Sequence, residues 1–282
     1  MTIRLVVDPI VFVLGCVVGS FLNVCIYRLP RDRSVVQPPS HCPQCGARLT
    51  AIDLVPLLSF LALGRKCRRC GGPISWRYFL VELLTGLVFV AAWEAYPLSW
   101  QVVPAWAFAA VVIAVVFTDL DHLIIPDSLV VVGLTAAVIS EAIAVVHGAP
   151  LLSVAVPGTG LKLPRVVAGG ALGLLVFVGV RGFSQLLFRR EGMGLGDVKL
   201  AAAIGAMLGP GLALLSFGLA IAAGAVLGVL LLLLRLRRRM EYLPFGPFLA
   251  AAALAALLAR QGLVSGATWL YQWYVHSALG LG

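Results

Sequence analysis

Residues 102–127 read VVPAWAFAAVVIAVVFTDLDHLIIPD. The first seventeen positions of this stretch carry no charge; as a helix they would span about 26 Å, close to the roughly 30 Å hydrocarbon layer of a bilayer. Three carboxylates follow, at Asp119, Asp121 and Asp127. An aspartate at mid-bilayer costs on the order of 3 kcal/mol on translocon scales, so acids gathered at the end of an apolar run mark where a span meets the polar boundary.

Working outward, comparable runs recur at about 9–27, 79–97, 128–147, 165–187, 211–234 and 243–259, with a shorter one at 199–209. Together with 102–118 these predict about eight transmembrane helices, and the weakly polar stretch 267–281 reads as either a ninth span or a helix lying in the interface. Of the 282 residues 61% are hydrophobic and 12% charged, a balance that excludes an ordinary soluble domain. The expected fold class is an all-α polytopic membrane protein. Residues 1–27 read as a retained first span, since the apolar run is too long for the core of a secretory signal and Arg-rich sequence follows it.

The net charge of +9 is explained by placement. The loop after the first span, the loop near 189–199 and the run Arg235, Arg237, Arg238, Arg239 hold 16 of the 21 Lys and Arg. The intervening loops hold only Lys162 and Arg165. The positive-inside rule puts the basic loops in the cytoplasm and the N-terminus outside. The charge therefore sets topology, and no nucleic-acid partner is expected.

One polar insertion, residues 28–77, interrupts the spans and carries Cys42-x-x-Cys45 and Cys67-x-x-Cys70. Two such pairs can each supply half of a tetrahedral zinc site, with Gly46, Gly71 and Gly72 allowing tight turns. Two disulfides are the alternative; a cytoplasmic loop favours the metal. Four cysteines would fill the coordination sphere, giving zinc a structural role. Cys16 and Cys25, inside the first span, read as buried apolar side chains. Gly169, Gly170 and Gly173 predict close helix packing.

Asp119 and Asp197, the latter closing Gly194-Leu195-Gly196-Asp197, are predicted at the same membrane face, at the ends of two spans distant in sequence. Two close carboxyl groups share one proton. The charged one can act as base on a water while the protonated one donates to a scissile carbonyl. Glycines before Asp197 would let an extended substrate backbone approach. Blander roles exist for each residue. Asp119 can be a helix-end residue, Asp121 and Asp127 loop solvation or helix caps, and His122 an interfacial histidine. Asp197 can cap a helix beginning at Val198, with Lys199 snorkelling to the headgroups.

The chain resembles the type IV prepilin peptidases, bacterial membrane aspartyl proteases with a GxGD motif. The resemblance is carried in order by Gly19-Ser20-Phe21-Leu22-Asn23-Val24 through Arg28-Leu29-Pro30, the four-cysteine loop, Ser75-Trp76-Arg77-Tyr78 with Glu82, the segment Asp119 to Ile125-Pro126-Asp127, the GxGD at 194–197, and Leu243-Pro244-Phe245-Gly246-Pro247-Phe248. It implies a bacterial inner-membrane enzyme that cleaves prepilin and pseudopilin leaders at the cytoplasmic face, with Asp119 and Asp197 as the catalytic pair. It also implies N-methylation of the new N-terminal residue from S-adenosyl-methionine. That activity would belong to residues 1–100, with the zinc loop, and the peptidase to 101–282. No Gly-rich loop for the methyl donor is visible; Glu82 is the best acidic candidate for its site. Pro244 and Pro247 are expected to kink or unwind their helix. A transporter with acids beside broken helices and a scaffold with a zinc-stabilised loop are the competing classes. The former lacks deep acids or inverted repeats, and the latter leaves the aspartates unexplained.

Overall fold

The computed structural model of the chain describes residues 2–148, 153–155, 162–188, 193–234 and 244–259. Nine α-helices are found among them: α1 Thr2–Arg28, α2 Leu58–Ala62, α3 Trp76–Ala95, α4 Val102–His122, α5 Asp127–Val146, α6 Arg165–Phe188, α7 Leu195–Leu208, α8 Pro210–Leu233 and α9 Gly246–Leu258. Six of these, α1, α3, α4, α5, α6 and α8, are long and apolar enough to cross a membrane. The chain is a polytopic helical membrane protein. The stretch 267–281 lies outside the described residues.

The spans expected at 199–209 and 243–259 are α7 and α9, with 14 and 13 residues. At 1.5 Å per residue each is about 20 Å long, short of a full crossing. Their shortness matters for position, because the first turns of both helices open beside the end of α4. Of the kink or unwinding expected at Pro244 and Pro247, the structure has no kink within α9: Pro244 lies in non-helical backbone before it, and Pro247 occupies its first turn, where a missing N–H costs little.

The core centres on α4, the most buried of the spans, which packs against α1, α3, α5 and α9. Phe108, Ile113 and Val115 of α4, Leu200 and Ile204 of α7, and Leu249 and Leu257 of α9 are almost wholly shielded. The outward faces of α1, α6 and α8 expose Ile10, Val13, Leu175, Val178, Leu219 and Val229, as a surface solvated by lipid requires. The α6–α7 seam is tighter than side chains would allow. A Cβ on Gly169 would lie 2.0 Å from the carbonyl oxygen of Gly205, and one on Gly173 2.2 Å from that of Ala201. Small residues thus bring two backbones together. Within the 148–164 connection, β1 Ser153–Ala155 and β2 Lys162–Pro164 pair antiparallel, Ser153 opposite Pro164.

Candidate active site

Helix α4 ends at Leu123, whose left-handed backbone (φ 55°) turns its N–H back to the carbonyl of Asp119 at 2.9 Å. Pro126, which cannot continue a helix, then caps α5 in an extended conformation. Asp119 is left in the last turn of the central helix, only 6% exposed. Its Oδ2 accepts the backbone N–H of Gly246 at 3.0 Å. Gly246 opens α9, so the carboxylate faces the positive end of a helix dipole.

Asp197 lies in the first turn of α7, after Gly194 at the N-cap. The helix therefore starts before Asp197, not at Val198. Asp119 and Asp197 come near enough for the charge of one to act on the other. Glycines shape the approach: a Cβ on Gly196 would fall 3.0 Å from Cβ of Ile125, and one on Gly194 3.5 Å from Oδ2 of Asp197. The backbone entering α7 is held by Arg181, which donates to the Met193 carbonyl at 2.6 Å.

The neighbouring charged residues, partly exposed to solvent, also pair across elements. Lys199 binds both oxygens of Asp127, at 2.7 and 2.9 Å, tying α7 to α5; its side chain is paired with an acid and does not simply snorkel. Arg77 at the start of α3 pairs with Asp121, and Arg31 contacts His122 Nε2 at 3.2 Å. Residues 119–127 are thus fixed from three sides. Sequence spacing did not reveal these partners, which lie 44 to 91 residues away along the chain.

The four cysteines meet. Their Sγ atoms all lie within 4.8 Å of one another, and a tetrahedron with metal–sulfur bonds of about 2.3 Å needs sulfurs roughly 3.8 Å apart. The two knuckles share one hydrogen-bond pattern. Cys42 N–H reaches the Ala47 carbonyl and Gly46 N–H the Cys42 carbonyl; Cys67 N–H reaches Gly72 and Gly71 N–H reaches Cys67, all at 2.8–2.9 Å. Gly46 (φ 70°) and Gly71 (φ 69°) take the left-handed turn each knuckle requires. Backbone N–H groups of Cys70 and Arg69 lower the Cys67 thiol, while burial and the neighbouring cysteines raise that of Cys70, as expected of thiols crowded together. This donor set fits a structural metal ion. Asp53, held at about 2 chiefly by the Thr50 hydroxyl and amide, bonds Arg68 at 2.8 Å and links the second knuckle to the segment before α2. Arg28, buried, donates to the carbonyls of Ser34 and Pro38 at 2.9 and 2.7 Å, anchoring the loop to α1.

Glu82 is also buried, and its Oε2 accepts the Leu57 N–H at 2.8 Å.

Two family models match the chain: Bacterial Peptidase A24 N-terminal domain over residues 13–96, and Type IV leader peptidase family over 106–229. A prepilin leader peptidase/N-methyltransferase of Aeromonas hydrophila is 36% identical over 273 residues, covering 88% of this chain and 89% of that protein. This chain belongs to the type IV leader peptidase family. Its Myxococcus xanthus relative of the same name is 42% identical over 223 residues, 79% of this chain but 62% of that longer protein. The Bacillus subtilis relative is 31% identical over 96% of this chain and 99% of its own length. No solved structure matches. The two matched segments part between residues 96 and 106, a stretch that covers the α3–α4 connection and the first turn of α4.

Proposed function

We propose that the chain is a bifunctional membrane enzyme that removes the leaders of type IV prepilins and pseudopilins with Asp119 and Asp197, and then methylates the new N-terminal amine. The supporting observation is the convergence of two carboxylates at the ends of α4 and α7, one of them bound by the Gly246 N–H. The pair shares a proton. In its charged form one carboxylate takes a proton from water, whose oxygen attacks the scissile carbonyl carbon. The protonated partner donates to the carbonyl oxygen, and the leaving amine is protonated as the tetrahedral species collapses. Which aspartate starts as the acid is a property of the pair.

The excess of Lys and Arg in the cysteine loop supports a cytoplasmic orientation for this end of the bundle in a bacterial inner membrane. Zinc on Cys42, Cys45, Cys67 and Cys70 holds the loop together and does no chemistry. Residues 1–100 carry methyl transfer and 101–282 the peptidase. S-adenosyl-methionine supplies the methyl group.

The test is cleavage of a prepilin-like substrate in vesicles by wild type, Asp119→Asn and Asp197→Asn, with methylation of a pre-cleaved peptide followed in parallel. Cleavage is expected to fall roughly 10⁴-fold or more in each variant, with methylation retained. Cleavage surviving either substitution rules out the aspartyl mechanism.

A further inference from the structure

Helices α1 and α3 meet at backbone contact near the cysteine loop. A Cβ on Gly15 would lie 2.8 Å from Cα of Gly86, and one on Gly19 2.8 Å from Cα of Glu82. Buried along this seam are acceptors that peptide cleavage does not use. Glu82, 8% exposed, binds the Leu57 N–H, and the Ser20 hydroxyl faces the same carboxylate. Across the seam on α1, Asn23, 3% exposed, donates through Nδ2 to the carbonyl of Tyr78, one turn before Glu82 on α3, at 3.0 Å, while its buried Oδ1 has no partner.

A carboxylate and a spare amide oxygen can only accept. A buried acceptor left unsatisfied costs about 1–3 kcal/mol, so the pair is matched to a ligand rich in N–H and positively charged. A primary ammonium, with three donors, has that chemistry. Of the two donors to Glu82, the Leu57 N–H is the replaceable one. Leu57 holds φ 59°, a region unfavourable for a non-glycine residue, so an incoming ammonium can take over the bond and let this backbone relax. Hydrolysis of a leader peptide produces just such a group at the new N-terminus. The two sites open at the same end of the bundle, because Arg77, five positions before Glu82, pairs with Asp121, two after Asp119.

We infer that Glu82 and Asn23 form the subsite that receives the α-ammonium of the cleaved substrate; this rests on the methyl-transfer reading given above. One ammonium proton passes to the Glu82 carboxylate, the nitrogen keeps the electron pair of that N–H bond, and the neutral amine is ready to accept a methyl group. Glu82 returns the proton to solvent before the next turnover.

The experiment uses the full-length enzyme in vesicles with wild type, Glu82→Gln and Asn23→Leu. Glutamine still accepts the Leu57 N–H but is no base, and cleavage of the uncut substrate reports that each variant is folded. Binding of a pre-cleaved peptide is measured with its α-amine free and acetylated, without methyl donor, and methylation is followed by the mass of the product. Wild type is expected to prefer the free amine by about 10-fold or more, and both variants to lose that preference and to methylate at least 10-fold more slowly. A Glu82→Gln enzyme that keeps both the preference and the methylation rate overturns the subsite. A wild type that shows the preference but never methylates keeps the amine subsite and removes the methyl-transfer reading. A wild type showing neither removes both.

Discussion

The Gly246 N–H and the Asp119 carboxylate are 3.0 Å apart, with no room between the two residues for a side chain: a Cβ on Gly246 would stand 2.6 Å from Oδ2. Alanine favours a helix more than glycine by about 1 kcal/mol, so Gly246→Ala should not unfold α9. It should instead push the carboxylate off its donor, and displacement of about 1 Å costs on the order of 10²-fold in rate. Cleavage assays on the inserted, zinc-loaded variant are expected to show that fall. Wild-type turnover would mean that this hydrogen bond does not set the geometry of the site.

Lys199 and Asp127 give a second prediction. Their side chains are 47% and 71% exposed, and pairs this exposed contribute at most about 1 kcal/mol to stability. The pair nevertheless ties α7, two residues past Asp197, to the first residue of α5. Lys199→Ala should leave thermal stability nearly unchanged and lower kcat by about 10-fold, with KM little altered. Lys199→Arg should recover most of the rate, and the swapped pair Asp127→Lys with Lys199→Asp a part of it. An alanine enzyme with normal kcat would reduce the pair to surface decoration.

The contrast between these braces and the rest of the site shows what sequence can carry. Spans announce themselves through composition, and Asp119 and Asp197 stand out because acids are scarce in apolar surroundings. The cysteine knuckles were equally legible, since two C-x-x-C pairs with glycines fix local geometry whatever the rest of the chain does. Gly246 was visible as part of a Pro-Phe-Gly-Pro segment, but not as the donor to Asp119, 127 residues away, because any residue except proline carries a backbone N–H. Lys199 looked like a lipid-facing cation until Asp127 was placed against it. The shortness of α7 was legible in the apolar run 199–209, whereas α9 starts only at Gly246, inside the run 243–259, because Gly246 and Pro247 form its first turn.

The cysteine loop predicts one zinc ion per chain by elemental analysis. No disulfide joins any of the six cysteines in the structure, so denatured, metal-stripped protein should titrate six thiols, whereas two disulfides would leave two. Cys45→Ser should lose the ion. Structural zinc binding is worth about 10–16 kcal/mol in small zinc-dependent folds, so the variant loop should become open to limited proteolysis between residues 40 and 72. Resistance equal to that of wild type would show that the loop holds its shape without metal.

The α6–α7 seam separates two adjacent glycines that sequence cannot rank. At Gly169 an added Cβ would meet the Gly205 carbonyl at 2.0 Å, and backbone cannot rotate away as a side chain does. At Gly170 the nearest atoms, the Ala202 carbonyl oxygen and Ala206 Cβ, are 3.5 Å off, an ordinary contact. Gly169→Ala must therefore force the helices apart, at roughly 1–3 kcal/mol for overpacking, whereas Gly170→Ala should be neutral or slightly stabilising, since alanine restricts the unfolded chain. Because α7 carries Asp197 in its first turn, the separation should reach the site. Gly169→Ala is expected to lose both thermal stability and cleavage, and Gly170→Ala to keep both. Equal behaviour of the two variants would show that the seam yields without moving Asp197.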